Sequence, residues 1–263
     1  MRTKRLAKKG ATLPIAGIKT HGFEHRFPGT LAGIRYNVEE QYCTNGLDIW
    51  LSKPDRTDRV DITTLEVQSG GGKSTLADLL HSFLRSEPFT STYFTWSAPP
   101  TQRCCVAMLP QRPSTVLHWR VRDILPQNSV FGARMLPELG EHFHHRRLSE
   151  LSGGQTARVF LASAFDRIAI SRVDIAFLIL DEAFEGVDAS LGNSLLTSLS
   201  EVWNRSPQFP ILRVLLITHF AAEEFLKEIP SRRLKLTPLT KTDVEVGQEI
   251  VSIQEVVIGE VSS

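Results

Sequence analysis

The sequence predicts an α/β fold with a core of parallel strands and an antiparallel β region ahead of it. Two apolar runs, at residues 175–180 and 214–217, are typical of strands buried on both faces of a sheet. The stretch between these runs carries apolar residues at helical spacing, namely Leu191, Leu195, Leu199 and Val202. A strand, a helix and a second strand in this order form a unit that joins parallel strands, so we expect a parallel core sheet.

The chain on either side of this unit predicts further strands. Strand-like pieces at residues 33–36, 47–50 and 60–67 are separated by turn-forming residues, which indicates short antiparallel strands over residues 34–67. Apolar residues alternate again near the end of the sequence and predict closing strands: Leu234, Leu236, Val244, Val246, Ile250, Val251 and Ile253.

Composition limits the classes of protein that the chain can belong to. With 263 residues and 41% apolar residues, the chain can bury one large core, and we predict a single domain over residues 26–263. The net charge of +1 provides no overall field for a polyanion, so a nucleic-acid partner is not indicated. No apolar run approaches the roughly 20 residues that span a bilayer. We expect a cytoplasmic protein that reaches a membrane only through partner subunits.

The first 25 residues are predicted to form a basic, flexible segment. Residues 1–23 contain six lysines and arginines and no carboxylate, which is typical of a solvated tail. A transit peptide or an electrostatic contact with a membrane is the alternative, although the segment lacks the apolar region of a secretory signal.

A glycine-rich turn follows the strand predicted at residues 60–67. The turn precedes a helix whose apolar stripe consists of Leu76, Leu79, Leu80 and Phe83. Backbone N–H groups in such a turn can surround a phosphate at the positive end of the helix. We assign seven residues to phosphate binding: Ser69, Gly70, Gly71, Gly72, Lys73, Ser74 and Thr75. Lys73 is expected to reach the β and γ phosphates, and the Ser74 hydroxyl to bind Mg²⁺.

The usual phosphate-loop pattern is incomplete by one residue. The pattern has a glycine six positions before the lysine, where this chain has Val67. Valine is compatible with the loop if the chain enters it with ordinary extended dihedrals. A glycine-rich strand end that binds no nucleotide is the alternative interpretation.

Two carboxylates come directly after the buried strand predicted at residues 175–180. Ligands of parallel α/β sheets gather at the carboxyl ends of strands, so Asp181 is well placed to hold Mg²⁺. Glu182 is then expected to orient and deprotonate the attacking water. The alternative is a pair of acidic residues at the start of a solvent-exposed loop.

The run Leu-Ser-Gly-Gly-Gln at residues 151–155 resembles the signature of the ABC (ATP-binding cassette) ATPase superfamily. It begins 30 residues before Asp181, which is the spacing of the family. Ser152, Gly153, Gly154 and Gln155 would form a second anion cradle at a helix N-terminus. The resemblance implies ATP as cofactor together with Mg²⁺, and a cradle that serves the nucleotide of the opposite subunit. It therefore implies a homodimer, or a heterodimer with a related ABC subunit, that encloses two ATP molecules.

Three further residues match the family by position and type. The resemblance implies that Gln111 contacts Mg²⁺ and the attacking water, that Asp188 lies at the dimer contact, and that His219 touches the γ-phosphate. An aromatic residue some thirty positions before the lysine usually stacks on the adenine, and Tyr42 is the first candidate, with Tyr36 the second.

The resemblance implies an ABC-type P-loop ATPase that drives a partner. The first hypothesis is the ATP-binding subunit of an ABC transporter, which docks on separate membrane subunits. The alternative is a soluble ABC ATPase acting on a protein or nucleic-acid partner. Only residues 112–150 separate Gln111 from the signature, and this segment is usually longer in transporters of the family. The resemblance therefore implies a shortened helical subdomain and a smaller docking surface. A third hypothesis, motivated by Val67, is a degenerate module that binds ATP without hydrolysing it.

Overall fold

The computed structural model of the chain describes residues 18–43, 47–50, 59–67, 71–85, 93–96, 103–109, 116–136, 140–184, 187–218, 231–246 and 249–261. The strands within these ranges are β1 (Ile18–Thr20), β2 (Phe23–Arg26), β3 (Ala32–Val38), β4 (Leu47–Trp50), β5 (Val60–Val67), β6 (Thr95–Trp96), β7 (Cys104–Leu109), β8 (Ile175–Asp181), β9 (Ile211–Thr218), β10 (Ser231–Val246) and β11 (Glu249–Glu260). The α-helices are α1 (Lys73–Arg85), α2 (Val121–Ile124), α3 (Val130–Met135), α4 (Gly153–Ala169) and α5 (Ala189–Asn204). Short 3₁₀ helices cover Glu40–Tyr42, Glu141–His145 and Leu148–Glu150.

Within the described ranges, an eight-stranded sheet has the order β2-β3-β11-β10-β5-β9-β8-β7. All neighbours from β10 to β7 are parallel. Strand β11 is antiparallel to β10, and β2 is antiparallel to β3. Strands β4, β1 and β6 form a small antiparallel sheet. The predicted α/β fold with a parallel core and an antiparallel β region is confirmed.

The prediction of antiparallel strands over residues 34–67 is wrong for β5. This strand pairs in parallel with both β9 and β10 and lies inside the core sheet. Six of its eight residues are buried, which requires cover on both faces of the sheet, as is usual for parallel strands. Strand β3 is antiparallel to β2 but parallel to β11, and β4 is antiparallel to β1 as predicted.

Apolar side chains fill both sides of the central sheet. On one side the sheet packs against α3, α4 and α5, where the buried rings of Phe165 and Trp203 lie 6.1 Å apart. On the other side it packs against α1 and the small sheet, where Trp50 of β4 and Phe177 of β8 lie 5.2 Å apart. Because both faces of the sheet are covered, the sequences of β8 and β9 are nearly continuous apolar runs.

The stripe predicted on α5 is correct except at its first residue. Leu195 and Leu199 are buried, whereas Leu191 is 37% exposed. Leu191 lies in the first turn of α5, beside the capping residue at the helix start. Leu196 and Trp203 complete the buried face instead.

The segment predicted as a reduced helical subdomain contains two very short helices, α2 with four residues and α3 with six. Both helices are hydrogen-bonded to α4. The Ser163 hydroxyl donates a hydrogen bond to the carbonyl of Ile124 at 3.0 Å, and the carboxylate of Asp166 accepts one from the Phe131 amide at 3.3 Å. The long helix α4 therefore holds this small subdomain in place.

Strand β1 begins at Ile18 and β2 begins at Phe23, so the described part of the first 25 residues contributes to the sheets. The predicted division at residue 25 falls inside β2 and stays a prediction, as does the flexibility of the preceding residues. None of the described helices combines the length and the apolar character that a membrane-spanning helix needs.

Candidate active site

The carboxyl ends of β5, β9 and β8 meet at one edge of the central sheet. Strand β9 lies between the other two, with Thr218 opposite Glu66 of β5 and Ile217 opposite Asp181 of β8. The predicted phosphate loop follows β5, and the predicted carboxylates end β8. Parallel α/β sheets bind their ligands at this edge, so the topology places both motifs where a ligand site is expected.

The phosphate loop runs directly into α1. Gly72 has a positive φ of 75°, a conformation that glycine adopts without strain. Helix α1 begins at Lys73, so Lys73, Ser74 and Thr75 form its first turn. The Leu76 amide donates to the Gly72 carbonyl at 3.0 Å. The predicted phosphate ligands Ser69 and Gly70 lie outside the described residues.

Val67 occupies the position where the usual loop has its first glycine. It is the last residue of β5, is paired with Leu236 of β10, and is only 4% exposed. The valine side chain packs into the core between the sheet and α1. The backbone here is an extended strand, which accepts any residue, so the fold explains how valine replaces glycine at this position.

Lys73 and Glu182 form an ion pair between the first turn of α1 and the residue after β8. Their side chains are 12% and 5% exposed. Glu182 has a positive φ of 53°, which is unusual for a residue with a side chain, and its amide donates to the Ile217 carbonyl of β9 at 3.1 Å. Non-glycine residues in this conformation are found preferentially at functional sites.

A second contact joins the same two elements. The Ser74 hydroxyl donates to the carboxylate of Asp181 at 2.9 Å, and Asp181 is 3% exposed. A hydroxyl and a carboxylate are the oxygen ligands that Mg²⁺ prefers, so this pair fits the ion by the chemistry of its donors. The two contacts bring together residues that lie 107 and 109 positions apart in the chain.

The signature forms the start of α4, a helix of 17 residues. Ser152 is the N-cap, and its hydroxyl accepts from the Gln155 amide at 3.2 Å. The Gln155 side chain accepts in return from the Ser152 amide at 3.1 Å, which completes a capping box. Ser152 and Gly153 are exposed and Gly154 is half-buried. The helix N-terminus is therefore accessible from outside the chain.

Asp188 is the N-cap of α5. Its carboxylate accepts from the amides of Ser190 at 2.9 Å and Leu191 at 3.3 Å. The hydrogen bond from the Ser190 side chain, followed by those from the two amides, lowers the pKa of Asp188 below its ordinary value. Helix capping explains this aspartate within one chain, and its predicted role at a dimer contact stays a prediction.

Besides Ser69 and Gly70, three of the predicted site residues are undescribed in whole or in part. Gln111 and His219 lie outside the described residues, although Thr218, just before His219, ends β9 at the same edge of the sheet as Asp181. Tyr42 belongs to the short 3₁₀ helix at Glu40–Tyr42, but its side chain is not described. The roles assigned to these three residues stay predictions.

Tyr36, the second candidate for adenine stacking, is excluded from that role. Its side chain is 0% exposed, its ring packs on Phe23 with 4.7 Å between ring centroids, and its hydroxyl donates to the Gly72 carbonyl at 2.5 Å. A ring enclosed in this way has no face for a base. No sequence pattern indicates the Gly72 contact, because Tyr36 resembles any other aromatic residue in an alternating strand.

Part of the chain is similar in sequence to known ATP-binding proteins. No family model matches the chain. It is 31% identical over 172 residues to the zinc transport system ATP-binding protein TroB of Treponema pallidum, with 57% of this chain and 59% of that protein covered. It is 32% identical over 162 residues to the zinc import ATP-binding protein ZnuC of Psychrobacter arcticus, with the same coverage. It is 30% identical over 167 residues to the taurine import ATP-binding protein TauB of Pseudomonas fluorescens, covering 57% and 58%.

The overall fold is similar to that of a solved metal-chelate type ABC transporter in an inward-facing conformation. The TM-score is 0.51 at 16% identity, and the match covers 95% of this chain and 98% of the other. The chain thus has the fold of an ABC-type nucleotide-binding domain. Its sequence is similar to the ATP-binding proteins of ABC transporters, which confirms the resemblance indicated by the motifs. The chain matches about three fifths of the length of these curated relatives.

Proposed function

We propose that this chain binds ATP together with Mg²⁺ and hydrolyses the ATP as an ABC-type ATPase. The observation that carries the proposal is the meeting of Lys73 and Ser74 with Glu182 and Asp181 at the carboxyl edge of the sheet. A lysine, a hydroxyl and two carboxylates in this arrangement supply the parts that phosphoryl transfer to water needs.

Phosphate binding is assigned to the loop and the first turn of α1. The backbone amides of Gly71, Gly72 and Lys73 lie at the positive end of a helix of 13 residues, where an anion can bind. The Lys73 ammonium compensates the charge of the β and γ phosphates, and these phosphates compete with Glu182 for it. Tyr42 is assigned to the adenine.

Ser74 and Asp181 would hold Mg²⁺, Ser74 through its hydroxyl and Asp181 through water, with Gln111 as a further ligand. When bound, the ion neutralises charge on the β and γ phosphates.

Glu182 is assigned the role of general base. Its carboxylate orients a water molecule and accepts its proton while the water oxygen bonds to the γ-phosphorus. The bond between the γ-phosphorus and the bridging oxygen breaks, and the products are ADP and inorganic phosphate. His219, expected just beyond β9, contacts the γ-phosphate. The catalysis is mainly positioning and charge compensation.

The exposed signature supports a dimer in which each chain completes the site of the other. Ser152, Gly153 and Gly154 lie at an accessible helix N-terminus, where they can bind the γ-phosphate of an ATP held by a second subunit. The second subunit is an identical chain or a related one, and Asp188 lies at the contact. Two such half-sites enclose two ATP molecules in a two-fold arrangement.

Dimerisation around ATP, followed by hydrolysis, is assigned the role of driving a partner protein or nucleic acid. The relatives named above are ATP-binding proteins of zinc and taurine transport systems, which supports the role of ATP-binding subunit of an ABC transporter with separate membrane subunits. The second candidate is a soluble ABC ATPase that acts on a protein or nucleic acid. It is favoured by the small subdomain before the signature, whose helices have four and six residues.

Phosphate release from MgATP by the purified chain tests the proposed activity. We expect slow basal hydrolysis in the wild type and no measurable ATP binding in Lys73→Ala. The matched control is Lys235→Ala, which removes an exposed lysine on β10. A wild-type chain that neither binds nor hydrolyses MgATP would refute the proposal.

Capture of partners separates the two candidate roles. The Glu182→Gln chain is recovered from its native cell in MgATP, and the captured proteins are identified by mass spectrometry. Membrane subunits among them support the transporter role. Soluble proteins or nucleic acid without membrane subunits support the second candidate.

A further inference from the structure

Tyr36 of β3 contacts the phosphate loop from inside the core. The residue lies 36 positions before Gly72, and its hydroxyl donates to the Gly72 carbonyl at 2.5 Å. Its ring packs beside that of Phe23, the residue directly opposite it on the neighbouring strand β2. A fully buried ring with one polar atom aimed at the loop is a rigid support, because burial restricts the rotation of the side chain.

Gly72 is bracketed by two side chains of the same strand. A Cβ atom at Gly72 would lie 2.8 Å from the Tyr36 hydroxyl and 2.1 Å from the Cδ1 atom of Ile34. The positive φ of Gly72 and the close approach of β3 both require glycine here. Strand β3 therefore packs directly against the backbone of the loop.

The hydrogen bond from Tyr36 fixes the direction of a loop amide. The Gly72 carbonyl and the Lys73 N–H belong to one planar trans peptide, so they point in opposite directions. With the carbonyl held towards the buried Tyr36, the Lys73 N–H points away from the core. This is the amide at the start of α1, where a helix N-terminus binds an anion.

The hydroxyl is a permanent donor at neutral pH. Burial raises the pKa of Tyr36 well above its ordinary value, and hydrogen bonding with Thr75 and Leu76 in the first turn of α1 offsets only part of this effect. The Gly72 carbonyl also accepts from the Leu76 amide, so it keeps one partner if the Tyr36 hydroxyl is removed. Loss of the hydroxyl is therefore expected to loosen the loop without unfolding the chain.

We propose that Tyr36 is a positioning residue for phosphate binding, which holds the Gly72 peptide so that the Lys73 amide faces the phosphates of the nucleotide. It acts through Gly72 and does not touch the nucleotide. This inference rests on the proposed function, because it assigns a role in the binding of ATP. It gives strand β3 a direct effect on the affinity for the phosphates.

The test compares the affinities of Tyr36→Phe and the wild type for MgATP and for AMP, which lacks the β and γ phosphates. Both are measured by competition with a fluorescent ATP analogue. The loss of one hydrogen bond to the loop is expected to weaken MgATP binding about three- to tenfold. The affinity for AMP is expected to change less than about twofold, within the uncertainty of one weak contact.

Two controls separate positioning from general stability. Tyr93→Phe removes a hydroxyl from the same aromatic cluster, since the Tyr93 ring also lies 4.7 Å from Phe23, and it should leave the affinities for both nucleotides unchanged. Phe23→Leu weakens the packing around Tyr36 but keeps its hydroxyl. It should lower the melting temperature and leave the ratio of the two affinities at the wild-type value.

An equal loss of affinity for MgATP and AMP in Tyr36→Phe, or no loss, overturns the inference. If Tyr36→Phe fails to fold, Ile34→Val tests the second contact of β3 with Gly72. It removes the Cδ1 atom that holds the glycine beside the Tyr36 hydroxyl, and it should weaken MgATP binding selectively by a smaller factor. An unchanged affinity ratio in that variant overturns the inference as well. A wild-type chain without affinity for MgATP refutes the proposed function itself, whereas wild-type binding that Tyr36→Phe leaves unchanged refutes the role of Tyr36 alone.

Discussion

Lys73 of the phosphate loop and Glu182, the proposed general base, form a buried ion pair with each other. Each residue is assigned to a different task in hydrolysis, but in the structure each compensates the charge of the other. When ATP binds, its phosphates would replace Glu182 as the partner of the Lys73 ammonium. The Glu182 carboxylate could then accept a hydrogen bond from water. The ion pair therefore links the binding of phosphate to the release of the base.

The contribution of this pair to stability is measurable by a double-mutant cycle without nucleotide. Lys73→Ala is expected to destabilise the chain by about 3 kcal/mol, because it leaves a buried carboxylate without this cation. Adding Glu182→Gln to Lys73→Ala removes the carboxylate charge. The double variant should therefore lose less free energy of unfolding than the two single variants lose together. Urea unfolding of the four proteins gives the coupling, and strictly additive losses would show that the two side chains do not interact.

Restoring the usual glycine at position 67 is expected to harm the protein. Val67→Gly removes a buried side chain from the core and places glycine in a central strand, at a cost of about 2–3 kcal/mol. The affinity for MgATP should not improve, because the valine already occupies an extended position. Unfolding and nucleotide titration measure the two effects, with Val67→Ala as the intermediate control. A variant with glycine that is as stable as the wild type and binds ATP more tightly would contradict this account of the loop.

Ser152 is expected to serve both the fold and the nucleotide. Ser152→Ala removes the N-cap of α4 and should cost about 1 kcal/mol in the free energy of unfolding. Ser129→Ala, which removes the N-cap of α3 together with the hydrogen bond from Ser129 to Asp166, is the control for loss of a cap outside the signature. Only Ser152→Ala should also reduce ATP-dependent dimerisation, measured by light scattering. Equal dimerisation of both variants in saturating MgATP would argue against the signature as a half-site.

Asp188 is expected to contribute to stability in a pH-dependent way. Its pKa is lowered in the folded chain, so its contribution is present above the ordinary value of 3.8 and is lost as the pH falls through the lower folded value. Asp188→Asn keeps a capping side chain but does not titrate. The stability difference between the wild type and this variant, followed by urea unfolding, should be constant above about pH 5 and change as the pH falls below 4. A difference that is the same at every pH would show that the carboxylate does not gain these hydrogen bonds on folding.

Local motifs made much of the candidate site predictable. The glycine-rich turn, the carboxylates after an apolar run and the helix start at the signature are each set by a few neighbouring residues. Lys73, Ser74, Asp181 and Glu182 could be grouped in advance because parallel strands bring their carboxyl ends to one edge. The exposure of Ser152 follows from its place at a helix N-cap.

Features that depend on distant pairing were not predictable. The sequence pattern places β5 in an antiparallel region, because a single strand does not reveal the direction of its neighbours. Those neighbours, β9 and β10, lie about 150 and 170 residues further along the chain. The contact of Tyr36 with Gly72 was missed for the same reason, since it depends on how β3 packs against the loop. Leu191 fits the helical spacing of the apolar stripe, but it lies in the first turn of α5, and the buried leucines of this helix begin at Leu195.

The measurement that tests the account most directly is the turnover and ATP affinity of Glu182→Gln. Loss of the general base should lower the rate of hydrolysis at least about a hundredfold, while ATP binding is retained because Lys73 and the loop remain. Glu201→Gln, an exposed glutamate on α5, is the matched control and should behave as the wild type. Unchanged turnover in Glu182→Gln would contradict the assignment of Glu182 as the base and, with it, the proposed active site.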